Sequence, residues 1–138
     1  MRRSVLFISI LASSMSCTHS DDIDSFVTMD VTAYNEKINE WTSTKQSFVI
    51  DPLLITRELF RNDDFERRTI IEFQSEHQDQ VTVTLTQEGL SDDAVEGEKR
   101  IIKFKRTNGT WVIEQIRLGF KCWESRGGHT NYSGIPCS

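Results

Sequence analysis

Asn108–Gly109 is the most restrictive dipeptide in the chain. Both central residues of a two-residue β-turn must adopt positive φ, and Asn-Gly is a pair that tolerates this. Its flanks have strand character: Ile101, Ile102 and Phe104 precede it, and Trp111, Val112, Ile113 and Ile116 follow it. A two-residue turn there sets the register of both arms. Thr107 is expected opposite Thr110, Lys105 opposite Val112, and Lys103 opposite Glu114 as a favourable cross-strand charge pair. The two arms read as strands over 101–106 and 111–122.

Upstream, Val81, Val83 and Leu85 alternate with Thr82, Thr84 and Thr86, the pattern of a half-buried strand. Thr69, Ile71 and Phe73 alternate with polar neighbours in the same way, and the polar stretch 87–97 reads as a loop. Before the sheet the period becomes helical. Ile23, Val27, Val31, Tyr34, Ile38 and Trp41 recur at steps of three and four, which predicts a helix over 23–41 capped by Asp21 or Asp22. Thr28, Val31 and Thr32 lower its intrinsic propensity, so packing must hold it. The Thr42-Ser43-Thr44 cluster is expected to end it. Asp51–Pro52 pairs a capping acid with proline at the first helical position. Leu53, Leu54, Ile55, Leu59 and Phe60 then form a short second helix, followed by a turn at Asn62-Asp63-Asp64. The expected fold class is α+β: the N-terminal helix and short second helix pack on a four-stranded antiparallel meander, with a C-terminal loop. Residues 23–138 form one domain, without repeats or low-complexity segments. A helix across a curved sheet resembles the cystatin-like or NTF2-like cone, an architecture that hosts many functions.

The first sixteen residues read as a signal peptide and stand outside the fold. Arg2 and Arg3 form a positive start, and residues 5–12 an apolar run broken only by Ser9, far short of the roughly 20 residues that span a bilayer. Small residues then lead to Cys17. This arrangement resembles the lipobox of bacterial lipoproteins, although Ser14 stands where leucine is usual. The resemblance implies that Cys17 becomes the first mature residue and carries acyl chains such as palmitate, with 17–22 as a lipidated tether. Ser14 and Ser16 also satisfy the small-x-small rule of an ordinary signal peptidase, which would leave Cys17 a free thiol. Thr18 rather than aspartate after the cysteine favours the outer membrane over the inner.

Cysteine count supports the lipidated reading. There are three: Cys17, Cys122 and Cys137. In an oxidising compartment the last two can pair, leaving Cys17 over, and a lipidated sulfur is less of a liability there than an exposed thiol. A Cys122–Cys137 bridge would staple the C-terminal loop and contribute roughly 3 kcal/mol on a chain-entropy model. In this loop Cys122, Trp123, Arg126, His129, Tyr132, Ser133, Pro136 and Cys137 resemble the tail of a group of small uncharacterised proteobacterial lipoproteins. This chain has an additional glycine between Arg126 and His129. The resemblance implies an envelope lipoprotein and no particular activity.

Trp123, Arg126, His129 and Tyr132 are the candidate binding residues. An arginine fork and a titratable histidine in one loop suit an anion or a carboxylate, and the aromatics suit an interface. The same four residues also suit a structural part, holding loop carbonyls and plugging the end of the sheet. No metal is expected, because His19, His77 and His129 lack ligand spacing. No cofactor is expected, because phosphate loops and nucleotide fingerprints are missing from the sequence. The chain is expected not to be an enzyme, though Glu58, Glu66 and Glu72 could serve as acid or base in a sheet cavity. Without Arg2 and Arg3, 14 basic residues remain against 21 acidic ones, a charge near −7 that repels nucleic acid. The acidic run 91–98 reads as a solvated hairpin tip or a contact for a basic protein.

Three functions are thus in view. The first is a membrane-anchored lipoprotein, on the outer membrane and facing the periplasm, that acts as a binding or accessory module for an envelope protein or small ligand. The second is an inhibitor or immunity-type lipoprotein that binds a basic protein, and the third an enzyme with a cavity carboxylate. A soluble periplasmic or secreted protein is the alternative localisation.

Overall fold

A computed structural model describes residues 20–61, 68–126 and 128–138. The expected signal peptide, Cys17, His19, the turn at Asn62-Asp63-Asp64, Glu66 and Gly127 lie outside the described residues.

The fold is α+β, with five antiparallel strands rather than the four expected. They are β1 (Val27–Met29), β2 (Arg68–His77), β3 (Gln80–Glu88), β4 (Val95–Thr107) and β5 (Thr110–Cys122), in the sheet order β1-β5-β4-β3-β2. The four long strands form the expected meander, and β1 is added beside β5. The helices are α1 (Thr32–Ser43) and α2 (Pro52–Leu59). Among the described residues, no helix is long and apolar enough to cross a membrane.

The predicted helix over 23–41 is corrected at its start. A 3-10 turn at Ile23–Ser25 and β1 occupy its first part, and α1 begins only at Thr32. β-Branched residues contribute to the difference: Val27 and Thr28, both in β1, lose rotamer freedom in a helix and pack well on a pleated sheet. Val27 pairs with Leu118 and Met29 with Ile116. Asp30 ends this segment, its carboxylate accepting from the Thr32 N–H at 3.0 Å and the Thr32 hydroxyl at 2.7 Å. Asp21 and Asp22 therefore cap no long helix; both hold the C-terminal loop. α1 ends at Ser43 as expected, where the Thr42, Ser43 and Thr44 hydroxyls all donate to carbonyls of the last turns. α2 also follows its signal: the Asp51 carboxylate accepts from the Leu53 N–H at 2.8 Å, and Pro52 opens the helix.

The Asn108–Gly109 turn forms with φ of 51° and 81°. Thr107 pairs with Thr110, and Lys105 with Val112. The expected Lys103–Glu114 pairing is overturned, because the register shifts there: Phe104 lies opposite Ile113, and Lys103 opposite Gln115. Glu114 is thus the extra residue of a β-bulge, which reverses the phase of β5. Trp111 and Ile113 face inward before it, Ile116 after it. Asn35 of α1 covers this irregularity. Its Nδ2 donates to the Ile113 carbonyl at 2.8 Å, and its Oδ1 accepts from the Ile113 N–H at 2.7 Å. The loop expected over 87–97 shrinks, since Gln87 and Glu88 extend β3 opposite Glu98 and Gly97 of β4.

Both helices lie on one face of the sheet. Ile38 and Ile55 pack there against Val81, Val83, Ile102, Phe104, Trp111, Ile113 and Ile116. At one end of the sheet the opposite face is covered by the C-terminal loop and Phe26. A Cβ on Gly119 would lie 2.3 Å from the Phe26 ring, so the ring rests directly on the backbone of β5.

Candidate functional site

Cys122 ends β5 and is bonded to Cys137, with Cα atoms 5.5 Å apart. The tail so closed is tied to the N-terminal segment. The Asp22 N–H donates to the Tyr132 carbonyl at 2.9 Å, and Gly134 donates to the Ser25 hydroxyl at 2.7 Å. Asn131 donates to the Ser20 carbonyl at 3.2 Å, so residues 20–22, read from sequence as the end of the tether, are fastened to the domain.

The four candidate residues of the tail turn to three different places. Trp123 Nε1 donates to the Asp92 carbonyl at 2.9 Å. Arg126 donates through Nε to the Asp93 carbonyl and through Nη2 to its carboxylate, both at 3.0 Å. These two thereby clamp the β3–β4 hairpin. His129 faces the staple: Nδ1 lies 2.8 Å from the Asn131 carbonyl, and Nε2 lies 2.7 Å from the Ile135 carbonyl and 3.5 Å from Cys122 Sγ. Tyr132 is buried, its hydroxyl donating to Glu88 at 3.0 Å and its ring lying under Lys99 Nζ at 4.5 Å. Burial, and then the Glu88 carboxylate, push its phenol well above the ordinary tyrosine range.

Each carboxylate of the acidic run has a partner within the chain. Asp92 accepts from the Val95 and Ala94 N–H groups, which hold its pKa below the ordinary carboxylate value. Asp93 pairs with Arg126, Glu96 with Lys121 at 3.1 Å, and Glu98 with Arg100.

On the helix face, where α2 ends against the same hairpin, a cleft of about 520 Å³ opens. Phe60, Arg61, Gln87, Leu90, Glu98 and Arg100 are among its walls. Gln87 continues the inward row of Val81, Val83 and Leu85, and Arg100 and Glu98 continue that of Phe104 and Ile102. The floor of the sheet therefore turns from apolar to polar here. Gln87 Nε2 donates to the Phe60 carbonyl at 3.2 Å, and Gln87 Oε1 accepts from Arg100 Nη1 at 2.7 Å. Arg100 Nη2 donates to Glu98, and the guanidinium lies 5.0 Å from the centre of the Phe60 ring. Arg100 Nε is buried and has no hydrogen-bond partner among the described residues. Sequence reasoning did not single out Phe60, Gln87 or Arg100 as a site. The available signal was the polar end of two inward-facing rows.

Catalytic and metal-binding groupings can be placed directly. The buried polar residues among those described are Thr56, Thr86, Gln87 and Ser133, and no carboxylate is among them. Glu58 is 3.6 Å from Arg61, and Glu72 is exposed on β2. Cys122, His129 and Cys137 are grouped, but their two sulfurs are bonded to each other.

Comparison with known families, characterised proteins and solved structures finds no match to the chain.

Proposed function

We propose that the chain is a lipid-anchored module of the bacterial cell envelope that binds a ligand without transforming it, with the cleft beside Arg100 as its working surface. The observation that carries this reading is the cleft itself. Its size lies within the range of small-molecule sites, and it combines an aromatic wall with two guanidinium groups and an amide. A guanidinium lying on an aromatic ring and held by Gln87 and Glu98 is fixed in place before a ligand arrives, which lowers the ordering cost of binding. The carboxylates in the cleft wall are engaged, Glu98 by Arg100 and Asp92 by the Val95 and Ala94 N–H groups, which favours binding over acid–base chemistry. The internal pairing of the acidic run weighs against an inhibitor or immunity role, since those charges already have partners. The contacts of Trp123, Arg126, His129 and Tyr132 favour a structural role for the tail.

The test is native mass spectrometry of the protein after exposure to a small-molecule extract of the envelope. The reading predicts a discrete adduct in the wild type. Leu90→Arg, which fills the cleft, should lose it while the circular dichroism stays unchanged. An adduct equally abundant in both would contradict the assignment of the cleft. The anchor is tested separately: Cys17→Ala should move the protein from the membrane to the soluble fraction, and unchanged fractionation would contradict it.

A further inference from the structure

Sγ of Cys122, Sγ of Cys137 and a ring nitrogen of His129 lie within 4.8 Å of one another, the one such grouping of metal-binding side chains found among the described residues. Bonded together, the sulfurs hold no ion. Reduced and deprotonated, they are the donors that zinc-class cations favour. The surroundings are shaped for such a cation in three respects. First, the Asn131 carbonyl lies 2.8 Å from Nδ1. An N–H there donates to it and leaves the lone pair on Nε2, which is how metal-binding histidines are commonly oriented. Second, Nε2 faces the Ile135 carbonyl at 2.7 Å and Cys122 Sγ at 3.5 Å. A carbonyl oxygen only accepts, and a neutral imidazole has a single N–H. With Nδ1–H engaged, Nε2 keeps its lone pair beside the staple, and a cation bound there displaces the Ile135 carbonyl, which belongs to the exposed part of the tail. Third, little movement is required. Zinc–sulfur bonds near 2.3 Å in a tetrahedral shell place two thiolates about 3.7 Å apart. Cys137 is partly exposed and lies between exposed Pro136 and Ser138, whereas Cys122 is fully buried and anchored in β5.

From this geometry we infer that the stapled tail is also a redox-gated metal site: once a dithiol opens the Cys122–Cys137 bond, the two thiolates and His129 Nε2 bind one zinc-class cation, with water in the fourth position. The opening is a thiol–disulfide exchange. One thiolate of the reductant attacks Cys137 Sγ, the more exposed sulfur. The Cys122–Cys137 bond breaks, and Cys122 Sγ leaves with the electron pair as a thiolate. The second thiolate of the reductant attacks the mixed disulfide and releases Cys137. Two electrons pass to the protein, and the dithiol becomes a disulfide. Binding of the metal sends any remaining thiol protons to solvent. This inference is independent of the cleft, whose walls include none of Cys122, His129 and Cys137.

The experiment titrates Co²⁺ into purified protein in detergent, oxidised and after reduction by a phosphine standing in for the dithiol. Thiolate-to-cobalt charge-transfer absorption is followed. Oxidised protein should show no band. Reduced protein should show one that saturates at a single equivalent and disappears on adding Zn²⁺. Cys137→Ser and His129→Ala should each weaken binding at least about tenfold, and His129→Cys, which restores a soft donor, should recover the band. The inference is overturned if the reduced protein gives no band, if oxidised protein binds as tightly, if His129→Ala keeps full affinity, or if reduction abolishes the far-ultraviolet signal of the sheet.

Discussion

Gly128 illustrates how closely the tail is drawn against its own staple. A Cβ there would lie 2.5 Å from Cβ and 2.8 Å from Sγ of Cys122, atoms held by the disulfide. Gly128→Ala should therefore cost about 1–3 kcal/mol, the usual size of an overpacking defect, read as a lower Tm; an unchanged Tm would contradict this placement of the loop. Arg126 and His129, which look equivalent in sequence, should separate. The Arg126–Asp93 pair is exposed, so Arg126→Ala should lose under about 1 kcal/mol. His129→Ala removes the hydrogen bond from the ring to the Asn131 carbonyl in the part-buried loop and should lose about 1–3 kcal/mol. Equal losses would argue against this division. Asp92 carries a pH dependence. The Val95 N–H and then the Ala94 N–H hold its folded-state pKa below the ordinary 3.8. A depressed carboxylate contributes stability above its unfolded pKa and loses it as pH falls through the folded value. The Tm gap between wild type and Asp92→Ala should be full near neutrality and close below about pH 4. A gap that widened in acid would contradict the sign.

At the scale of elements, the bulge at Glu114 organises β5. Deleting Glu114 would rejoin the two phases of the strand and turn either Trp111 and Ile113 or Ile116 away from the core. The deletion should abolish cooperative unfolding, whereas Glu114→Ala should fold normally; a well-folded deletion would show that the phase change is dispensable. The spacing of Ile113 and Ile116 already carries this jump of three, yet the turn at Asn108–Gly109 predicts a regular ladder and hides it. The second helix was legible because Asp51–Pro52 signals locally. β1 was not, because its apolar positions fit helical spacing as well as strand pairing, and the choice is made by the open edge of β5. The cleft was harder still. Phe60, Gln87 and Arg100 come from three elements, and only the register of β3 against β4 brings the last two together.

For the molecule as a whole, the two faces of the sheet have different covers: helices on one, and on the other a tail knotted to the N-terminal segment. That second cover depends on one covalent bond, closing a loop with a sequence separation of 15, and such bonds persist where thiols are oxidised. The staple and the proposed anchor at Cys17 would thus share one requirement, export to an oxidising compartment. The pairing of Cys122 and Cys137 was legible from the cysteine count once the lipobox-like resemblance set Cys17 aside, whereas the contacts that make the tail rigid were not, because they reach back to Ser20, Asp21 and Ser25 across the whole chain. Intact-mass and peptide analysis of protein purified from membranes without reductant tests the account most directly. It should find a chain that starts at an acylated Cys17 and a crosslinked Cys122–Cys137 peptide. A full-length chain from Met1 in the cytosol, with all three cysteines open to thiol labelling, would contradict it.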